Sequence, residues 1–384
     1  MSMQQSIYLD HAATTPLHPR VLEAMLPYLR ENYGNASSMH HMGRVAQAAL
    51  TNARHSLAHS LGCLPQEVIF TSGGTESNNA ALFGAITAAS PERKKIVTSA
   101  IEHHAILRSC DELKRRGAQL SHVSVDGSGR IDLAELERLV DANTAVVSIM
   151  LGNNEIGTIQ PIIEASRIAK QAGAQFHVDA VQALGHVKID LTQLSVDLMS
   201  FSAHKVNGPK GVGALYIRNQ ACWAPIMFGG SQERKRRAGT ENIAGAVGFA
   251  SAVQFAVENI EERIQERLRF RQTMLDVLRS LLPDEAFVLN GHQTDYLPHI
   301  LNLSFPGADA QSLLMNLDLA GIAVSSGSAC SSGAMEPSHV LKAMNVPESR
   351  LRSAIRFSFG YGNCLKTVTI AAEKVATIVH RLTY

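Results

Sequence analysis

No sign of charge dominates this sequence. The 35 lysines and arginines stand against 34 aspartates and glutamates, a formal net charge of +1. A chain without a basic excess lacks the electrostatic footprint that binds nucleic acid or an anionic membrane surface, so neither is expected as a partner. Cysteine is scarce too. Cys63, Cys110, Cys222, Cys330 and Cys364 are too few and too scattered for a disulfide framework, and their odd number fits a reducing compartment. Neither CxxC nor HExxH occurs, which removes the usual zinc spacings, and no metal is expected. No apolar run reaches the roughly 18–20 residues of a membrane-crossing helix. The opening MSMQQSIYLDH has no basic stretch followed by an apolar one, so it does not read as a signal peptide. The expected location is the cytoplasm. Internal repeats and low-complexity segments are missing as well.

What is present is an ordinary globular composition, 45% hydrophobic and 18% charged, in 384 residues. That length suggests about two domains with sizeable cores. Short apolar or β-branched runs bounded by Gly, Asp or Ser predict strands at VIFTS (68–72), KIVTSAIEH (95–103), AVVSIML (145–151), QFHVDAV (175–181), DLMSFSA (197–203) and GALYI (213–217). Helical patterns such as DLAELERLV and PIIEASRIAKQAG lie between several of them. The alternation predicts an α/β domain with a largely parallel sheet, which binds ligands at the carboxyl ends of its strands. Beyond Gly239, Phe249, Val253, Val257, Ile260, Ile264 and Leu268 step at three and four and predict one long helix with a single apolar face. A second set of mixed elements follows: HILNLSF, DAQSLLMNLDLAG, IAVSS, SAIRFSFG and a final helix. The expected division is a large domain over 16–259 and a smaller α/β domain over 260–384, with 1–15 packing on the latter.

Several polar residues fall at predicted strand ends. Lys205, in FSAHKVNGPKG, follows a strand, and a lysine is the attachment point that pyridoxal phosphate requires. Most lysines are merely solvated, so the neighbours matter. Asp179 ends QFHVDAVQ, where a carboxylate can keep a pyridine nitrogen protonated, although a strand-end Asp is as often a cap or turn residue. Thr71 opens TSGGTESNN, a glycine-bearing turn into a helix that suits a phosphate but does not match the triphosphate-binding spacing. His103 and His104 close KIVTSAIEHH. In SAIRFSFG, Ile355, Phe357 and Phe359 share one face and Arg356 and Ser358 the other. Arg356 suits a carboxylate; the plainer reading is a surface salt bridge. Cys330, in AVSSGSACSSGAMEPSHV, sits among small polar residues, as a reactive thiol does. Cys63, Cys110 and Cys222 lie among apolar or helical residues and read as inert. Cys364 fits neither description.

Together these stretches resemble the group I (NifS/IscS-like) cysteine desulfurases, fold type I pyridoxal-phosphate enzymes of the class V aminotransferase superfamily. The resemblance runs from YLDHAATTP at Tyr8 to RFSFG at Arg356. Its most specific parts are SSGSACSSG, FSAHKVNGPKGVGALY, HVDAVQ, NNEIG and RAGT. The related group II enzymes carry a shorter cysteine loop. The resemblance implies that Lys205 holds pyridoxal 5'-phosphate and shuttles protons once freed by substrate. It implies that His103 stacks on the cofactor ring and acts as acid or base, that Asp179 pairs with the pyridine nitrogen, and that Gln182 meets the phenolic oxygen. Gly74, Thr75, Ser202 and His204 bind phosphate in this reading, and Thr240 reaches the phosphate of the partner subunit in a homodimer. Asn154 and Arg356 hold the carboxylate of L-cysteine. Cys330 takes the sulfur as a persulfide, alanine leaves, and a sulfur-acceptor protein of iron–sulfur cluster assembly or another sulfur-incorporation pathway is served.

The resemblance departs after VATIVHRLTY, where many members extend into a tail that docks an iron–sulfur scaffold, so scaffold docking is not carried over. Acceptors in tRNA thiolation or DNA sulfuration stay open. Competing readings are transamination or selenocysteine cleavage on the same fold, or a sulfur-delivery partner that works mainly by binding proteins. Cys330 separates the first from desulfuration, since an aminotransferase has no use for it.

Overall fold

The computed structural model describes residues 6–327 and 337–383. The short strand β1 (Ile7–Tyr8) precedes a sheet of seven: β2 (Val68–Thr71), β3 (Lys95–Ser99), β4 (Gln119–Val123), β5 (Thr144–Met150), β6 (Gln175–Asp179), β7 (Leu198–Ser202) and β8 (Gly213–Ile217). Their spatial order is β2-β8-β7-β6-β5-β3-β4, and only β8 runs against the others. The expected α/β fold with a largely parallel sheet is therefore present. Alternate residues feed two cores, as a sheet covered on both faces requires. Val97, Val147, Val178 and Phe201 point into one, and Ile96, Val146, Leu198 and Leu215 into the other. All six predicted strands are found. β4 was not expected; its QLSHV is polar and half exposed because it lies at the sheet edge.

The chain beyond the sheet holds β9 (Val288–Asn290), β10 (Ile300–Ser304), β11 (Ile322–Ala323) and β12 (Ala354–Ser358). β10 sits between β12 and β9 in an antiparallel sheet, while β11 pairs in parallel with β1. A separate core forms here from Phe270, Met274, Leu303, Phe357 and Val375, and Leu9 from the N-terminal segment joins it.

The long helix expected across residues 249–268 is instead two, Ile243–Glu258 and Ile260–Leu281, meeting at 76°. The break falls at Asn259, whose side chain donates a 2.8 Å hydrogen bond to the Phe255 carbonyl and ends the first helix. Phe249 and Val253 enter the large core, but Ile260, Ile264 and Leu268 are only half-buried. Phe270, Met274, Leu275 and Leu278 fill the second core instead. Among the described residues no single helix is long and apolar enough to cross a membrane.

Candidate active site

Register sets the floor of the site. Met150, Asp179 and Ser200 are paired neighbours across β5, β6 and β7, so β5 and β6 end at one level and β7 runs two residues further, to Ser202. There a cavity of about 390 Å³ opens. Lys205, His103, Asp179, Gln182, Gly74, Thr75, Ser202, His204, Asn154 and Arg356 all line it. Thr240 does not; it is exposed elsewhere on this chain. Cys330 lies outside the described residues, while Ser325 and Gly327, just before it, reach the cavity wall.

The turn after β2 is built for close approach. Gly73 has φ +151° and ψ −177°, a region open essentially to glycine alone. A Cβ on Gly74 would lie 2.7 Å from Val181 Cγ2. The helix Gly74–Ala88 starts here, and its first N–H groups have no acceptor within the helix, which favours an anion at this end. One turn along the same helix, Asn78 Nδ2 donates a 2.7 Å hydrogen bond to Asp179 Oδ2. The Val181 N–H donates to Asp179 Oδ1 at 3.0 Å. Both oxygens of this buried carboxylate are thereby oriented. Asn78 was not foreseen, although its i+4 spacing from Gly74 puts it on the same helix face.

Lys205 ends a single 3₁₀ turn, Ala203–Lys205, directly after β7. Its Nζ donates to the carbonyls of Ala12 at 2.5 Å and Ala13 at 2.8 Å. Burial, reinforced by the Arg356 charge and opposed by Asp10 and Asp179, brings its pKa down to about 8. Gln182 Nε2 donates to the same Ala12 carbonyl at 2.8 Å. Beside Lys205, His204 Nδ1 lies 3.2 Å from Thr14 Oγ1, and burial, with the Lys205 and Lys210 charges, lowers its pKa to about 4. This imidazole is neutral at physiological pH.

His103 does not close a strand. β3 stops at Ser99, and His103 caps the helix His104–Arg115, its Nδ1 accepting from the Ala105 N–H at 3.1 Å. His103 is exposed and stands on the cavity wall. Burial lowers its pKa against the pull of Asp179. The preceding Glu102 is fully buried and was missed. Its Oε1 accepts from Ser99 Oγ at 2.6 Å and from the Met150 N–H at 2.9 Å. Burial raises its pKa to about 8 despite those bonds, and its Oε2 is buried without a partner.

Arg356 and Ser358 share one face of β12, while Ile355, Phe357 and Phe359 fill the second core on the other. The Arg356 ion pair is buried, which corrects the plainer surface reading. Nη2 lies 2.7 Å from Asp10 Oδ1, and Nη1 donates to the Asn154 carbonyl at 2.8 Å. Its Nε is buried without a partner. Asp10 was also missed, since nothing local distinguishes it from a turn residue. Of the other thiols, burial pushes Cys63 and Cys110 up to about 12, in keeping with inert roles. Cys222, read as one of that group, is exposed, as is Cys364.

The chain matches the model of the aminotransferase class-V family over residues 7–370. The cysteine desulfurase IscS of Dictyoglomus turgidum is 44% identical over 380 residues, covering 99% of this chain and 96% of that protein. A solved NifS-like protein superposes with a TM-score of 0.92 at 38% identity, covering 98% of this chain and all of the other. A solved complex of SspA with cysteine superposes at 0.81 with 32% identity, covering 92% and 99%. The chain belongs to the aminotransferase class-V family. Within that family it falls in the NifS/IscS-like group of cysteine desulfurases.

Proposed function

We propose that this protein is a pyridoxal-phosphate-dependent enzyme that moves the sulfur of L-cysteine onto Cys330 and releases alanine. The observation that carries the reading is the convergence of Lys205, Asp179, His103 and Arg356 on one cavity. The residues fit the cofactor on physical grounds. An amine with its pKa lowered to about 8 is ready to join a carbonyl, a carboxylate fixed by two donors faces the cavity, and a glycine turn offers free N–H groups to a phosphate. Pyridoxal phosphate, when bound, supplies an electron sink for bonds at the substrate's α-carbon.

Lys205 would hold the cofactor and then carry protons through Nζ. Asp179 would pair with the pyridine nitrogen and Gln182 with the phenolic oxygen. Gly74, Thr75, Ser202 and His204 would hold the phosphate, with Thr240 of a second copy completing that site in a homodimer. His103 would cover the ring and exchange protons through its free Nε2. Arg356 and Asn154 would grip the substrate carboxylate, and the place of both on the cavity wall supports this. The Cys330 thiolate attacks the substrate sulfur. An S–S bond forms as the C–S bond breaks, and the electron pair left on the three-carbon fragment takes up a proton to give alanine. The persulfide then passes to an acceptor protein. We assign residues 16–259 to the cofactor-binding domain and 260–384, with 1–15, to the smaller one.

The test is chemical trapping. Protein loaded with pyridoxal phosphate is yellow, and borohydride fixes the cofactor to the Lys205 peptide. Lys205→Ala protein carries no fixed cofactor. A wild-type protein that takes up no pyridoxal phosphate, or fixes it elsewhere, contradicts the reading.

A further inference from the structure

We propose that Glu155 is a positioning residue for sulfur transfer, fastening both stems of the segment that carries Cys330. The inference rests on the functional reading above. Glu155 follows Asn154 and is 3% exposed. Its backbone is fixed: the N–H donates to Asn153 Oδ1 at 2.8 Å, and the carbonyl accepts from Asn302 Nδ2 at 3.1 Å. Its carboxyl meets the chain on each side of Cys330. On the N-terminal side Gly327 packs against it with φ +88°, and a Cβ there would lie 2.9 Å from Oε2 and 3.2 Å from Cγ. On the C-terminal side Ser338 Oγ donates to Oε2 at 2.5 Å and caps the helix His339–Ala343 by accepting from the Leu341 N–H at 3.2 Å. His339 Nδ1 stands 4.0 Å from Oε1, while its Nε2 donates at 2.9 Å to the Glu102 carbonyl, the peptide just before His103.

One buried carboxyl thus holds Ser338 by a hydrogen bond and leaves no room for a side chain at Gly327, on either side of Cys330, while the neighbouring His339 ties the C-terminal stem to the peptide before His103. Among the described residues the carboxyl's one hydrogen-bond partner is Ser338 Oγ on the C-terminal stem, and the hydrogen bonds of Lys205 and Asp179 go elsewhere. Loss of the carboxyl should therefore spare binding and slow the step that needs Cys330. Attack by one sulfur on another depends on near-contact geometry, and a displacement of about 1 Å costs on the order of 100-fold.

The experiment compares wild-type holoenzyme with Glu155→Ala, Glu155→Gln and Ser338→Ala, each given L-cysteine without reductant. Three quantities are read: KM, the spectral change when cysteine binds, and the rate at which sulfur appears on the Cys330 peptide. Glu155→Ala should lose sulfur transfer by roughly 100-fold, with KM and the spectral change held within about twofold. Glu155→Gln keeps an acceptor oxygen for Ser338 and should recover about tenfold of that loss, while Ser338→Ala should fall by about tenfold. Sulfur transfer at the wild-type rate overturns the proposal. So does a loss in which KM rises and the spectral change shrinks in step with the rate, since that marks a general structural role. Ser338→Ala carries the same comparison should the Glu155 variants not fold. A wild-type control with no sulfur on Cys330 overturns the functional reading itself, and this control distinguishes the two failures.

Discussion

Arg356 and Asp10, 346 positions apart in the sequence, meet in an ion pair of 2.7 Å inside the cavity wall. The pair joins β12 to the segment after β1, and Arg356 itself lines the cavity. Arg356→Ala should raise KM for cysteine by roughly 30-fold or more, the equivalent of at least about 2 kcal/mol for a lost charge-assisted pair. Cofactor content should stay unchanged. The variant should also unfold more easily, because the Asp10 carboxylate, 20% exposed, loses its cation. Steady-state kinetics with cofactor absorbance checks both halves, and an unchanged KM would return Arg356 to a purely structural role.

Lys205 predicts a pH dependence. Its pKa is lowered to about 8, so the neutral amine gains population as pH rises through 8 and not through the 10.5 of a free lysine. Uptake of added pyridoxal phosphate by cofactor-free protein should accelerate across that lower window. Arg356→Ala removes a charge that lowers the pKa, so its profile should move to higher pH. A wild-type profile that rises only near the free-lysine value would contradict the burial argument.

The strand runs and the pair Asp179 and Lys205 were legible because a sheet buried on both faces needs continuous apolar segments, and its ligands gather where those segments end. Asn78, Glu102, Asp10 and Glu155 were not. Each is a polar residue whose partner lies on a distant or unpredictable stretch of chain, as Asp10 meets Arg356, so nothing in its own surroundings marks its role. The helix break at Asn259 failed to register for a related reason. Apolar spacing continues through it, so periodicity alone could not tell one bent face from two helices serving different cores.

The dimer is tested by hybrid subunits. Thr240 is exposed in the single chain and is assigned to a partner's phosphate site. Mixing Lys205→Ala subunits with Thr240→Ala subunits should create one intact site in each hybrid, built from Lys205 of one copy and Thr240 of the other. Cofactor retention and activity should then rise above those of either parent. No gain on mixing, in hybrids verified by mass, would place Thr240 outside the site.

The central claim is that Cys330 receives the sulfur. The most direct measurement is mass spectrometry of the Cys330 peptide after the holoenzyme has met L-cysteine in the absence of reductant. The peptide should carry one additional sulfur, and Cys330→Ala protein, still yellow and still binding cysteine, should release almost no alanine. Sulfur found on Cys364 or Cys222 instead, or alanine released by Cys330→Ala at the wild-type rate, would contradict the account.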